Sequence, residues 1–366
     1  MSKGVWNAIS SIVKGRVILR DVAEKAGVHL TTAARAMKND PRVRPETLEL
    51  IQGLAKKMGY EVDPMLTALS AYRSTKRPAQ YHGTVGWITN YPAREGWRRH
   101  EAFRLYREGA AQALARQGYR LEDFWLQEPG LTARRASQIL HSRGIRGLLL
   151  CPLPVSYGHL SLQWERFAAV TFGYTLLRPE LHSVTAAHYH SMQVCVRKLH
   201  QLGCRRIGLV APQWIDDRMH RMWSAAYQTQ LPKPKKAGEK PLPTLSLGES
   251  VEYDDVSQRK LFSKWVHAHR PDAVIAFWGS FCGWLKEGGL RVPGEVSFVS
   301  PILQESERDY AGVVEPSQEI GAAAADFLVG MLHRGDYGLP RMPQQILLKG
   351  KWNPGKTAGR RAPATR

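Results

Sequence analysis

The spacing of apolar residues divides the chain into two parts. Before about residue 62, apolar side chains recur at helical spacing in three short segments, which begin near Arg20, Leu30 and Pro45. Gly27 separates the first two segments by a tight turn, and proline suits the first position of the third helix. This arrangement predicts a helix-turn-helix module, which presents its second helix to the major groove of DNA.

From Thr84 the pattern changes to apolar strands that alternate with amphipathic helices. Residues 145–151 (IRGLLLC) are almost wholly apolar, as is typical of a strand covered on both faces in a parallel sheet. One series of strands and helices ends near Phe172, and a second begins with a helix near Tyr189. Two such series predict two α/β lobes with a ligand cleft between them. The Pro- and Lys-rich residues 231–243 are expected to form a surface loop.

A short apolar segment joins the two parts. Asp63-Pro64 is a helix-start signal, and residues 65–72 (MLTALSAY) are apolar or small. The segment is too short to form a stable helix by itself in water. Because basic residues follow it, we expect it to become helical when the protein binds DNA.

Charge adds a preference for a polyanionic partner. The chain has 52 Lys and Arg residues against 32 Asp and Glu residues, a formal charge of +20. Residues 1–82 carry 14 basic and 7 acidic residues, and the last 18 residues carry six basic and no acidic ones. This distribution favours nucleic acid over a membrane surface, although solubility alone also accounts for a basic composition.

Composition and motifs exclude several protein classes. Four cysteines without CxxC spacing do not fit a disulfide scaffold or a zinc ribbon. With no apolar run of about 18 residues and no secretory signal, a cytoplasmic, nucleoid-associated protein without membrane contact is expected. The GxSxG, P-loop, GxGxxG and HExxH motifs are absent, so neither an enzyme nor a cofactor is expected. His182, His188 and His190 lie close in sequence, but HxH spacing does not put both rings on one helix face, and no metal site is expected.

Several motifs of the first part occur together at a specific spacing. They are DVAEKAGV (21–28), Thr32 and Arg35 in the second helix, RPETLELI (44–51), MGY (58–60) and DPMLTAL (63–69). Together they resemble the DNA-binding head of the LacI/GalR family of bacterial transcription regulators. Weaker matches resemble that family's sensor domain, which is similar to periplasmic sugar-binding proteins: LGCRRIGLV (202–210), GLRVPGEVSFV (289–299) and EPSQEIGAAAADFL (315–328).

The resemblance implies a fold and a domain order. The expected fold is an all-α helix-turn-helix head plus an α/β two-lobed, periplasmic-binding-protein-like (type I) sensor domain. The expected segments are a disordered N-terminal extension (1–16), the DNA-binding domain (17–62), a hinge helix and linker (63–82), a two-lobed ligand-sensing and dimerisation domain (83–352) and a basic disordered tail (353–366).

The resemblance also implies which residues contact DNA. Leu30 and Thr31 would read base edges, and Arg35 would reach a guanine through its planar fork. Thr32 would hold a phosphate, Lys38 is a further expected contact, and Leu69 would enter a base step in the minor groove and kink the duplex. Two alternatives stay open: Thr32 only caps its helix, or Leu69 packs on the sensor domain.

The head departs from the family pattern at four positions. Ile18 stands where a Ser or Thr helix cap is usual, and His29 where a Ser is usual. Ala33 and Ala34 replace the usual Val and Ser. Because a lost cap costs about 1 kcal/mol, the head is expected to be marginally stable by itself.

The ligand pocket departs further from the family. Of the family's polar sugar anchors, the sequence keeps only Arg221, and the usual Asn-Asp pair after Phe277 is replaced by Trp278-Gly279-Ser280. The remaining candidates for the pocket are Asn90, Tyr91, Trp214 and Trp278. Three interpretations stay open: a less polar or aromatic ligand, a sugar held by stacking and a few polar groups, or a sensor that has lost its ligand.

The leading hypothesis is a sequence-specific transcriptional regulator, usually a repressor, that binds operator DNA as a homodimer. A small sugar-like or aromatic effector between the lobes would change its affinity for the operator. The alternatives are a solute-binding receptor of a transport system and a regulator with a ligand-independent sensor domain. The helix-turn-helix pattern and the missing secretory signal both argue against a transport receptor.

Overall fold

The computed structural model describes residues 17–37, 40, 43–60, 81–231, 242–248 and 256–360. The chain divides into two compact units, Met1–Gln80 and Tyr81–Arg366. The predicted N-terminal extension and the predicted hinge helix lie outside the described residues, as do Lys38 and Leu69.

The first unit contains the three predicted helices, which confirms the all-α head. They are α1 (Leu19–Lys25), α2 (Leu30–Ala36) and α3 (Pro45–Met58). Pro45 occupies the first turn of α3, and Gly59 ends that helix in the left-handed conformation with φ 69°. Small and branched side chains make the common core of the three helices: Val22, Ala23, Ala33, Ala36, Val43, Ile51 and Ala55.

The second unit has the two predicted α/β lobes, each built on one sheet. The strands of the first lobe, the N-lobe, are β1 (Gly83–Thr89), β2 (Tyr119–Trp125), β3 (Gly147–Leu150), β5 (Ala168–Phe172), β7 (His182–Ala186) and β12 (Gln345–Leu348). The strands of the second lobe, the C-lobe, are β8 (Ile207–Val210), β9 (Ala273–Ala276), β10 (Ser297–Leu303), β11 (Ala311–Val314) and β13 (Lys351–Asn353). The N-lobe sheet is parallel, in the order β12-β7-β5-β3-β1-β2, and the C-lobe sheet has the order β13-β11-β10-β9-β8, in which β13 is antiparallel to its neighbour. A separate short parallel pair is formed by β4 (Gly158–His159) and β6 (Leu176–Arg178).

Helices cover both sheets. Those of the N-lobe are α4 (Glu101–Arg116), α5 (Ala133–Ser142) and α11 (Ser317–Arg334). Those of the C-lobe are α6 (His188–Gln201), α7 (Gln213–Arg218), α8 (Met222–Gln230), α9 (Val256–His269) and α10 (Ser280–Glu287). Short 3₁₀ segments lie at Gly96–Arg99, Trp164–Arg166 and Glu305–Glu307.

The chain crosses between the lobes three times. It passes from β7 to α6, from β11 to α11, and from β12 to β13. Each lobe is therefore assembled from separate stretches of the sequence.

Two glycines allow α4 and α11 to approach each other closely. A Cβ atom placed on Gly321 would lie 2.7 Å from the carbonyl carbon of Tyr106 and 2.9 Å from the backbone nitrogen of Ala110. A Cβ atom on Gly109 would lie 2.7 Å from the carbonyl carbon of Gln318. Since backbone atoms meet at this crossing, a side chain larger than hydrogen does not fit at either position.

The predicted disorder of residues 353–366 is wrong for residues 353–360. The Thr357 hydroxyl is buried, accepts a hydrogen bond from the Ala311 N–H and donates one to the Phe298 carbonyl, each at 2.8 Å. The Phe298 N–H in turn donates to the Thr357 carbonyl at 2.7 Å. These contacts to the C-lobe sheet are non-local, so a segment rich in Gly, Pro and Arg gave no sign of them. Residues 361–366 lie outside the described residues.

Candidate DNA-binding helix and ligand cleft

The N-terminus of α2 is capped by His29. Its Nδ1 atom accepts a hydrogen bond from the Thr31 N–H at 3.4 Å and lies 2.8 Å from the Thr31 hydroxyl. Substituting the usual Ser by His29 therefore does not remove the cap, which corrects the expectation drawn from the sequence. It also corrects the alternative in which Thr32 caps the helix, because Thr32 lies inside the first turn.

Ile18 has no side-chain cap hydrogen bond on α1, as expected from its apolar side chain. Its backbone N–H donates instead to Asp21 Oδ2 at 2.8 Å. The Asp21 carboxylate at this end of the helix also interacts favourably with the helix dipole. The missing cap is therefore compensated in part by a residue three positions along the chain.

The exposed face of α2 presents three of the predicted DNA contacts. Leu30, Thr31 and Arg35 are exposed, and Thr32 is half-buried, whereas Ala33 and Ala36 face the core. Thr31 and Arg35 are four residues apart and so lie on the same side of the helix. Among the described residues, Arg35 forms no ion pair, which leaves its guanidinium available for an external partner.

In the second unit, loops at the carboxyl ends of the N-lobe strands face α7 of the C-lobe. Arg218, the last residue of α7, is 8 % exposed and donates hydrogen bonds to the Leu153 carbonyl at 3.0 Å and to the Pro154 carbonyl at 3.1 Å. Burial lowers the pKa of this guanidinium. Within the described part of the chain, no carboxylate lies within ion-pair distance of it. Arg218 thus joins the two lobes as a charged group that has no counter-ion among the described residues.

Tyr91 contributes a polar group to the same region. Its side chain is buried at the end of β1, and its hydroxyl has no hydrogen-bond partner among the described residues. Burial raises the pKa of this hydroxyl, the neighbouring Cys151 raises it further, and the Arg218 charge lowers it. Asn90, the adjacent candidate, instead accepts a hydrogen bond from Gln127 Nε2 at 2.8 Å.

The structure places a different arginine at the buried position from the one that the sequence predicted. Arg221, the predicted polar anchor, has a side chain that is 68 % exposed and forms an ion pair with Asp217 at 2.8 Å. Arg218 takes the buried position one turn earlier. Arg221 has φ 56°, in the left-handed region, because a tight turn separates α7 from α8. The sequence DDRMHR shows two arginines but gives no signal for that turn.

Aromatic rings form two groups in the second unit. Trp214 and Trp278, both predicted, come together with ring centroids 6.1 Å apart on the C-lobe. A second group, missed from the sequence, links the lobes: Tyr157 stacks on His220 at 5.8 Å, and His220 lies 5.2 Å from Tyr174.

His188 extends this second group towards the core of the C-lobe. Its ring lies 6.0 Å from Tyr174 and 5.1 Å from Trp223. Burial lowers the pKa of His188 to about 4, so its ring is neutral at physiological pH. The neutral ring fits its position between two aromatic side chains.

A buried carboxyl group lies between β11 and α11, where the chain crosses between the lobes for the second time. Glu315 Oε1 accepts a hydrogen bond from the Tyr106 hydroxyl at 2.6 Å and lies 2.9 Å from the Ser317 hydroxyl. Glu315 Oε2 has no partner within the described ranges. Burial raises the pKa of Glu315, whereas the hydrogen bonds from Tyr106 and Ser317 lower it. The sequence carries no local signal for this group, because its partner Tyr106 lies more than 200 residues away.

The described residues contain no group of three His, Cys, Asp or Glu side chains that could hold a metal ion. Over the same residues, no helix is long and apolar enough to cross a membrane.

Comparisons with known proteins agree with both units. Residues 18–63 match the model of the bacterial regulatory proteins of the lacI family, and residues 196–358 match that of a periplasmic binding protein-like domain. Neither description is that of an enzyme. Comparison with curated proteins gives no significant match.

The solved structures with the same fold include three transcription regulators. The lac repressor dimer bound to operator and the anti-inducer ONPF is 16 % identical, covers 94 % of this chain and 99 % of its own, and has a TM-score of 0.54. The transcriptional regulator CelR in complex with cellobiose is 19 % identical, with 93 % and 100 % covered and a TM-score of 0.55. A lacI-family regulator described as putative, from Rhizobium etli, is 16 % identical, with 75 % and 99 % covered and a TM-score of 0.56.

Because the sequence identities are low, the structural similarities establish only the fold. The two family models, by contrast, match the sequence itself. The head has the three helices and the exposed face of a DNA reader, and the second unit has two lobes joined by three crossings. The chain thus combines a DNA-binding domain of the lacI family of bacterial regulatory proteins with a periplasmic-binding-protein-like sensor domain, which is the organisation of a DNA-binding regulator.

Proposed function

We propose that the protein is a dimeric repressor that binds a pseudo-palindromic operator and responds to a small ligand in the interlobe cleft. The observation that carries the proposal is the exposed face of α2, where Thr31 and Arg35 lie on one side of a capped helix. A two-fold dimer would present two such helices to two half-sites of the operator. The proposed place of action is the nucleoid, where the operator lies.

Arg35 is the sharpest test of DNA reading. A guanidinium that reads a guanine contributes about 1–3 kcal/mol of discrimination, so Arg35→Ala should weaken binding to the selected operator by that amount. Binding to random DNA should change much less, because phosphate contacts dominate it.

The operator would be selected from a random duplex pool and binding measured by fluorescence anisotropy. Lys57→Ala, an exposed change near the end of α3, serves as the control and should leave the operator preference unchanged. An equal loss on operator and random DNA for Arg35→Ala would assign Arg35 to the phosphates and contradict base reading.

The remaining contacts are proposed on the family pattern. Leu30 would contact an apolar base feature such as a thymine methyl, and Thr32 and Lys38 would contact the phosphate backbone of the DNA. Leu69 would insert into a central base step. Leu69→Ala should reduce DNA bending in a gel-mobility assay. Equal bending by wild type and variant would leave Leu69 as a packing residue.

Two solved structures of the same fold support dimerisation and a ligand response as parts of this proposal. The related lac repressor structure is a dimer on operator with an anti-inducer, and CelR holds cellobiose. By analogy, we expect sedimentation velocity to show a dimer of this chain at micromolar concentration. Monomer alone, with and without operator, would contradict the two-fold mode of binding.

A further inference from the structure

Arg218 is a buried cation, and the two acidic residues that precede it in the sequence are engaged elsewhere. Asp217 pairs with Arg221, and Asp216 Oδ1 accepts a hydrogen bond from the Ser224 N–H at 3.3 Å. Burying a charge without a counter-ion is costly, and two carbonyl oxygens compensate a guanidinium only in part. Of the five N–H donors that a guanidinium has, the Leu153 and Pro154 carbonyls use one edge. The group can therefore still donate to an anion.

The groups around Arg218 also favour an anion over a neutral polyol. The Tyr91 hydroxyl is within the electrostatic influence of Arg218 and has no partner among the described residues. Partial burial lowers the pKa of His100, and the positive charge of Arg218 lowers it further. This ring therefore stays neutral and adds no charge of its own to the site. The rings of Tyr91 and His100 lie 6.2 Å apart with an interplanar angle of 53° and place aromatic surface beside these polar groups.

We infer that the cleft binds a small aromatic carboxylate, held by the Arg218 guanidinium and the Tyr91 hydroxyl. A carboxylate is planar, matches the guanidinium fork and also accepts a hydrogen bond from a hydroxyl group. Its charge supplies the counter-ion that the described chain does not provide for Arg218. Since Arg218 belongs to the C-lobe and Tyr91 to the N-lobe, the ligand strengthens the link between the lobes. The inference rests on the proposed function, in which this cleft is the effector site.

The test uses the full chain and matched pairs of probes. Benzoate, phenylacetate and 4-hydroxybenzoate are each compared with their neutral amides by thermal unfolding and isothermal titration. At least one acid should raise the unfolding temperature and bind at least tenfold more tightly than its amide. No preference for any acid over its amide would overturn the inference. A larger shift with inorganic phosphate than with any of the three acids would also overturn the assignment to a carboxylate.

Two variants link the binding to the named groups. Tyr91→Phe removes a hydroxyl that has no partner, so the unliganded protein should unfold at the same or a slightly higher temperature, while the acid binds several-fold more weakly. Arg218→Lys keeps the charge but loses the planar fork and should also weaken acid binding several-fold. Unchanged acid affinity in both variants would overturn the assigned site.

Tyr227→Phe is the matched control. The Tyr227 hydroxyl donates to the Ile207 carbonyl at 2.7 Å in the C-lobe core. Its loss should lower the unfolding temperature without changing acid affinity. Operator binding is measured on the same samples without any acid. If operator binding persists while every acid fails, the carboxylate assignment falls and the proposed regulator stands.

Discussion

Replacing Gly321 by alanine tests the close crossing of α4 and α11. The added Cβ would lie 2.7 Å from the Tyr106 carbonyl carbon and 2.9 Å from the Ala110 nitrogen, both backbone atoms. Real Cβ contacts essentially never fall below 3.0 Å, so the helices must separate by several tenths of an ångström or more. A backbone clash cannot be relieved by a change of rotamer, so the whole interface has to move.

The expected loss follows from two opposing effects. Overpacking a well-packed core costs about 1–3 kcal/mol, and the upper end applies here because backbone meets backbone. Alanine in a helix interior gains about 0.5–1 kcal/mol over glycine. The second unit should therefore lose about 2 kcal/mol of unfolding free energy in Gly321→Ala. Gly109→Ala, on the other side of the crossing, should behave in the same way.

Urea unfolding of the full chain, followed by tryptophan fluorescence, measures this difference. Gly283→Ala on α10 is the control, because no heavy atom lies within 4 Å of its added Cβ. That variant should be more stable than wild type by about 0.5–1 kcal/mol. If Gly321→Ala also matched or exceeded the stability of the wild type, the close crossing would be refuted.

Three further substitutions test other contacts. His29→Ala should remove the cap of α2 and lower the stability of the head by about 1 kcal/mol, as followed by circular dichroism in urea, whereas His29→Asn should keep most of it. Glu315 has a raised pKa in the folded state, so its contribution is lost as the pH rises above its ordinary value of 4.5 towards the folded value. Glu315→Gln should flatten the fall in unfolding temperature over that range, and an unchanged pH profile would show that the group does not titrate with folding. Thr357→Val should cost about 2 kcal/mol in chemical unfolding, because it leaves the Ala311 N–H and the Phe298 carbonyl without their partner; a variant as stable as wild type would show that the 353–360 segment contributes no stability.

The fold was predictable because its signals are local. The helical spacing of apolar residues around Ile51 predicts which side of that helix is buried, and the apolar run 145–151 predicts a buried strand. Neither prediction needs any knowledge of distant residues. The candidate site was predictable only in part. Tyr91, Trp214 and Trp278 follow or flank strands and could be named from that position alone. The buried position of Arg218 depends on a turn between two short helices, and the Glu315 environment depends on Tyr106 from a different part of the chain.

The order in which the lobes are assembled constrains how the protein can fold during synthesis. The N-lobe sheet takes its edge strand from residues 345–348, and the C-lobe takes its last strand from residues 351–353. Neither lobe has all its strands until the residues up to 353 have left the ribosome. The head, by contrast, is local in sequence and can fold first. Chains that stop before residue 345 should therefore pair a folded head with two incomplete lobes, and are expected to be targets for chaperones and proteases.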